Sequence, residues 1–279
     1  MQAPLPDDPA NWPVYDRLSS HVRTLLGQPG FRSHEAETFR ALLVRVIRYL
    51  EVSRQGWIGA RIAGAVHGEW ETHLGEDHPD SLALANRLAA CHYGERDFGE
   101  ARIQWVGLLS RFRKVFGPEH ADTLTVTSNL ALALGGDGEL AAAEKFARAA
   151  LVTSREKLGD EHIVTRRAQR VVQYLGVLRE NAELFAEVSS VLKSGSGNNY
   201  NEDDYAVRDH DTWVTVNLTK QLYNPNEPER RRLQAIAEQI DAKLLAAGFA
   251  LTHVSDHAEG VPDLLTSGLT GLAVIRKPR

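Results

Sequence analysis

Apolar residues along the first two-thirds of the chain recur at helical spacing. Val14, Leu18, Val22 and Leu25/Leu26 form one stripe from Pro13 to about Leu26, and Gln28-Pro-Gly30 breaks it. Phe39, Leu42, Leu43, Val46, Ile47 and Leu50 share one face of a helix expected over 35–53, and another helix is expected over 57–73. A longer period then takes over. Leu74-Gly-Glu-Asp-His-Pro-Asp-Ser-Leu82, Phe116-Gly-Pro-Glu-His-Ala-Asp-Thr-Leu124 and Leu158-Gly-Asp-Glu-His-Ile-Val-Thr-Arg166 lie 42 residues apart. A fixed period of this size means a repeat array, in which each unit must stack on its neighbours to bury its apolar face.

The units share one internal logic. The glycine of each phrase is expected to end a helix in the left-handed cap conformation. Asp80 or Ser81, and Asp122 or Thr123, are expected to cap the next helix. That helix should run to a second break, Gly94-Glu-Arg-Asp97 or Gly135-Gly-Asp-Gly138, and a longer one should follow over 98–115 and 140–157. Ala101 and Ala143 occupy matching positions, where close helix approach needs a small side chain. His78, His120 and His162 recur with the phrase. One repeat width (~20 Å) separates them, too far to share an ion with bonds near ~2 Å, so they read as structural turn residues.

The pattern changes at Ser194-Gly-Ser-Gly-Asn-Asn-Tyr200, a Gly/Ser run of linker composition followed by Glu202-Asp-Asp204. Trp213–Leu218 alternates like a half-buried strand. A helix is expected from about Glu229 to Ala247, then strands at Phe249–Val254 and Leu272–Ile275. The expected organisation is a lead-in with a short helix (1–34), a helical repeat domain (35–193), a flexible acidic linker (194–211) and a small module (212–279). The fold class is mainly α: an α-α solenoid followed by a small α+β module.

Composition narrows the function classes. A net charge of −5, and nine basic against twelve acidic residues in 194–279, argue against a nucleic-acid binder. The single cysteine, Cys91, excludes an intramolecular disulfide and a cysteine-rich zinc site. It lies in an apolar helical stretch and reads as a small buried residue. There is no signal-peptide pattern and no apolar run of the ~18 residues needed to span a bilayer, so the expected location is the cytoplasm, with no membrane partner.

The residues Leu88-Ala89 with Asp97-Phe-Gly-Glu-Ala101, and Asn129-Leu-Ala131 with Glu139-Leu-Ala-Ala-Ala143, each closed by the Gly-x-Glu/Asp-His phrase, resemble tetratricopeptide repeats of the 42-residue kinesin light-chain type. The resemblance covers about residues 35–193 as roughly four helix pairs, the first and last degenerate. Such repeats occur in bacterial regulatory proteins of the NB-ARC/STAND type, behind a nucleotide-binding switch. The segment Asn11-Trp-Pro-Val-Tyr15…His21-Val22 also looks like the lead-in to such arrays, but this chain holds no G-x-x-x-x-G-K-[S/T].

The resemblance implies a concave groove lined by the first helix of each pair. With the family leucine at Leu88 and Leu130, and Val46 and Val172 as equivalents, the groove positions become Arg45 and Arg48; Ala83, Asn86 and Arg87; Thr125, Ser128 and Asn129; and Arg167, Arg170 and Tyr174. Arginines and amides on one surface suit an anionic protein or peptide segment, or a free carboxylate, because guanidinium binds carboxylates bidentately. The alternative is that these arginines are solvated or pair with Glu and Asp of neighbouring repeats; Arg166 and Arg179 should face solvent.

Away from the array, His210, His253, Asp256 and His257 form the densest polar group and could serve a metal or an acid–base site. Loop residues at strand ends explain them equally well, so neither metal nor cofactor is called for. Arg230-Arg-Arg232 opens the long C-terminal helix against its dipole and reads as a solvated face. The leading reading is a non-enzymatic scaffold whose groove captures an anionic segment, with the C-terminal module as a second contact surface. The alternatives are a modifying enzyme with its site in that module, and the ligand-sensing part of a STAND-type system.

Overall fold

The computed structural model describes residues 5–194, 205–210, 213–218, 227–254 and 271–275. The chain divides into two compact units, Met1–Leu175 and Gly176–Arg279. In the first, a short 3-10 turn at Pro9–Asn11 leads into α1 (Trp12–Leu26), α2 (Glu37–Val52), α3 (Gly56–Leu74), α4 (Pro79–Gly94), α5 (Phe98–Phe116), α6 (Ala121–Gly136) and α7 (Leu140–Leu158). Consecutive helices pack on one another from α2 to α7, giving the mainly helical tetratricopeptide-like array that the period implied.

The core is the apolar stripe of each helix. Leu43, Val46, Ile47 and Leu50 of α2 are fully buried, as are Trp70 of α3, Leu82 and Leu84 of α4 and Trp105 of α5. Ala101 and Ala143 are also fully buried, as close packing requires. Gly59 has the same function in α3: a Cβ there would lie 2.8 Å from Cys91 Sγ. Cys91 is buried, and that burial pushes its thiol up to about 12, so it is inert at neutral pH.

The turn phrase works differently from expectation in two respects. Gly75, Gly117 and Gly159 have positive φ (97°, 90° and 85°) but extended ψ (149°, 160° and 162°). That region is essentially closed to residues with a Cβ, and it is not the left-handed helical cap. The next helix is then capped by the histidine, not by Asp80, Ser81, Asp122 or Thr123, which lie inside the helices. Nδ1 of His78 accepts from Asp80 N (3.1 Å), that of His120 from Asp122 N (3.2 Å) and that of His162 from Val164 N (3.3 Å). Each ring takes the place of the usual Ser, Thr or Asp oxygen.

The expected fourth pair is absent. Residues Ile163–Lys193 form one continuous helix, α8, which crosses the boundary between the two units. The earlier units turn at Arg54, Arg96 and Gly138, 42 residues apart and all at positive φ. The corresponding stretch is Leu178-Arg-Glu-Asn-Ala-Glu183, good helix formers without a glycine, so the helix continues.

In the second unit the distal part of α8 packs against α9 (Glu227–Ala246), with Leu184, Val188, Leu192, Ile236, Ile240, Leu244 and Phe249 as the core. The described strands are β1 (Tyr205–His210), β2 (Trp213–Leu218), β3 (Ala250–Val254) and β4 (Gly271–Ile275), antiparallel in the order β1-β2-β4-β3. Sequence reasoning missed β1, which falls inside the expected linker 194–211 and pairs with β2 through His210↔Trp213 and Tyr205↔Leu218.

Candidate functional site

A groove of about 1210 Å³ runs along the array within the first unit. Of the expected positions, Arg45, Arg48, Ala83, Asn86, Arg87, Arg167, Arg170 and Tyr174 line it. The spacing explains this: Arg45 and Arg48 are one turn apart on α2, Asn86 and Arg87 adjoin on α4, and Arg167, Arg170 and Tyr174 follow at i, i+3 and i+7 on α8.

The third repeat departs from expectation. Thr125, Ser128 and Asn129 do not line the groove, and α6 contributes Asp122 and Leu132. Ser128 and Asn129 are each 1% exposed. Ser128 Oγ donates to Leu124 O (3.0 Å) and Thr125 Oγ1 to Ala121 O (2.9 Å), so both hydroxyls are spent within the helix.

The arginines fall into two electrostatic states. Arg48 is hydrogen-bonded to the carboxylates of Asp7 and Glu51, and Arg87 Nη1 lies 2.9 Å from Glu51 Oε2. Burial depresses the Arg48 guanidinium, and its bonds to Asp7 and Glu51 outweigh that, so its pKa is raised. For Asp7, burial raises the carboxyl, while the Arg48 bond and the charges of Arg48, Arg87 and Arg167 hold it below its ordinary value.

Arg167 has no carboxylate partner among the described residues; its Nη2 donates to Asn129 Oδ1 at 2.8 Å. Burial lowers its pKa first, and repulsion from Arg48 and Arg87 adds to that against a smaller offset from Glu51 and Asp7. Asn129 Nδ2 donates in turn to Asn86 Oδ1 (3.2 Å), which also accepts from Trp105 Nε1 (2.8 Å). Asn86 and Asn129 are thus committed to one another and to Arg167. Arg45 and Arg170 are exposed, with no ion pair among the described residues.

Two participants escaped sequence reasoning. Leu5, Pro6 and Asp7 line the groove, held by Asn11 Nδ2 on Leu5 O (3.0 Å) and Trp12 Nε1 on Pro6 O (3.2 Å). Nothing in the periodic pattern marks this stretch. Glu51 was legible: it stands three residues after Arg48 on a helix, and its 42-residue counterparts Tyr93, Gly135 and Val177 carry no charge.

The second candidate cluster does not converge. His210 lies on β1 and His253 on β3, the two edges of the sheet, with β2 and β4 between them. Three strand spacings of about 4.8 Å put those backbones roughly 14 Å apart. Asp256 and His257 lie outside the described residues. Among the described residues no group of three or more His, Cys, Asp or Glu side chains could hold a metal ion, and no helix is long and apolar enough to cross a membrane.

Tetratricopeptide repeats match residues 80–156. That segment holds the two best-formed units, α4/α5 and α6/α7. Among solved structures, the chain is similar to the crystal structure of a Podosopora anserina kinesin light chain with nearly identical TPR-like repeats. The two are 19% identical, with a TM-score of 0.47, and the match covers 68% of this chain and 96% of that one. No curated protein matches. Tetratricopeptide repeats generally mediate protein–protein interaction.

Proposed function

We propose that the groove captures an acidic segment of a protein partner, and that the chain serves as a binding scaffold. The observation that carries this reading is the charge of the groove. Five guanidinium groups (Arg45, Arg48, Arg87, Arg167 and Arg170) face one groove of a chain whose net charge is −5, and the carboxylates paired with them are only Asp7 and Glu51. Asp80, also on the wall, is paired with Arg40 at 2.6 Å. At about 1210 Å³ the groove exceeds the ~1,000 Å³ upper range of small-molecule pockets, which favours an extended chain as occupant. In the same proposal the C-terminal unit, with its antiparallel sheet and α9, supplies a second contact surface.

The test is selection from a random peptide library on the full chain, in parallel with Arg167→Glu/Arg170→Glu. The expected outcome is enrichment of Asp and Glu, or of free C-terminal carboxylates, on the native chain and its loss on the variant. Recovery of peptides without acidic enrichment, or equal recovery on both proteins, would overturn the reading.

A further inference from the structure

The groove is not uniform in its appetite for anions. Arg48 and Arg87 already hold carboxylates from this chain. Arg167 has none among the described residues, yet its guanidinium is largely buried and faces the same groove. A buried cation without a counter-ion is costly, and the cost falls when a carboxylate arrives from outside. The amide of Asn129 takes one N–H of Arg167 and leaves its others without a partner among the described residues. That amide cannot swing away, because Asn129 is bonded to Asn86, and Asn86 to the indole of Trp105, which is 1% exposed.

We propose that Arg167 is the residue that reads the acidic group of the captured segment, and that Asn129, Asn86 and Trp105 are positioning residues that aim its guanidinium into the groove. This rests on the groove reading above and narrows it to one place and one chemistry. The partner's carboxylate binds at the α8 end, beside Arg170 one turn on, and the α2 end stays closed by Asp7 and Glu51. The preferred anion is a planar carboxylate, which matches the guanidinium fork and is the group Arg48 already accepts in this groove. Asn86 and Asn129, which the repeat spacing placed on the groove as direct ligands, act through Arg167.

The experiment uses the full chain with ¹⁵N-labelled arginine and follows each Nε–Hε signal during titration with N-acetylaspartate at constant ionic strength, with inorganic phosphate as a second arm. The expected result is a saturable shift at Arg167, larger than at Arg45 or Arg48, with phosphate binding more weakly. Asn129→Asp gives Arg167 a counter-ion within the chain and should weaken N-acetylaspartate by about tenfold. Should Asn129→Asp fail to fold, Trp105→Phe loosens the far end of the relay and should weaken binding severalfold while the Arg167 signal remains. A response centred on Arg45 or Arg48, unchanged affinity in the variant that folds, or tighter phosphate binding would each overturn the proposal. Acidic peptides recovered by selection with no Arg167 response would leave the groove reading standing and remove this one; failure of both experiments would remove both.

Discussion

The two ends of the groove carry the same residue type in opposite electrostatic situations. At the α2 end, Arg48 and Arg87 share Glu51, and Arg48 also holds Asp7. At the α8 end, Arg167 is held by a neutral amide and repelled by the other two arginines. A repeat that places arginine at a groove position therefore says nothing by itself about whether that arginine is available. The carboxylate is what differs, and Glu51 belongs to the first unit alone, since Tyr93, Gly135 and Val177 stand at its 42-residue counterparts. The α2 end is built for stability, and the α8 end has the properties of a binding site.

The strongest way to break this contrast is to remove the shared acid. The Glu51 side chain is 15% exposed, and those of Arg87 and Arg48 are 14% and 21% exposed, so little water can replace it. Glu51→Gln leaves two half-buried guanidinium groups facing Arg167, and should cost about 3 kcal/mol, the lower end for breaking a buried pair. Urea unfolding at pH 7 measures it. Adding Arg87→Met in that background should restore part of the loss, because it removes one of the stranded charges. A loss below about 1 kcal/mol would mean that solvent screens the α2 end as it does an ordinary surface pair.

The α8 end should respond with the opposite sign. Arg167→Gln keeps an amide N–H that can reach Asn129 and removes a desolvated, repelled charge. We expect stability to rise by on the order of 1 kcal/mol, with most of the affinity for acidic peptides lost. Thermal unfolding at low and high salt checks it, and the gain should shrink as salt screens the repulsion from Arg48 and Arg87. Destabilisation by Arg167→Gln would place Arg167 in the same class as Arg87 and erase the contrast.

The array was legible in the sequence because its signals are local and repeated. Helical periodicity put Leu43, Val46, Ile47 and Leu50 in the core, and the 42-residue period fixed which helices correspond. The continuous α8 was missed because the period predicts a turn wherever it falls, and only the missing glycine at Leu178–Glu183 reports that the turn is absent. The burial of Asn129 was missed for a different reason. Repeat spacing gives the direction of a side chain from the helix axis, but its depth depends on the neighbouring helix, here on Asn86 and Arg167 reaching over it. Asp7 lay furthest out of reach. It comes from a segment with no periodicity, and its place is set by bonds from Asn11 and Trp12 to carbonyls that no pattern predicts.

Asp7 also supplies the smallest predicted effect and the finest test of the comparison. Its side chain is 53% exposed, so its bond to Arg48 should be worth under about 1 kcal/mol once solvent screening is allowed for. Its folded pKa lies below the ordinary carboxylate value. A group depressed in this way contributes its full stabilisation above its unfolded pKa and loses it as pH falls through the lower folded value. Asp7→Asn should therefore lower stability slightly at pH 7 and narrow its gap to the native chain below about pH 4, where both carry a neutral side chain. The same variant leaves Arg48 with Glu51 as its remaining carboxylate, a step towards the state of Arg167. If the groove discriminates by counter-ion, Asp7→Asn should tighten binding of acidic peptides severalfold while Arg167→Gln weakens it. Opposite effects on stability and binding from two charge-neutralising changes in one groove would arise only if each end is set by what its arginines already hold.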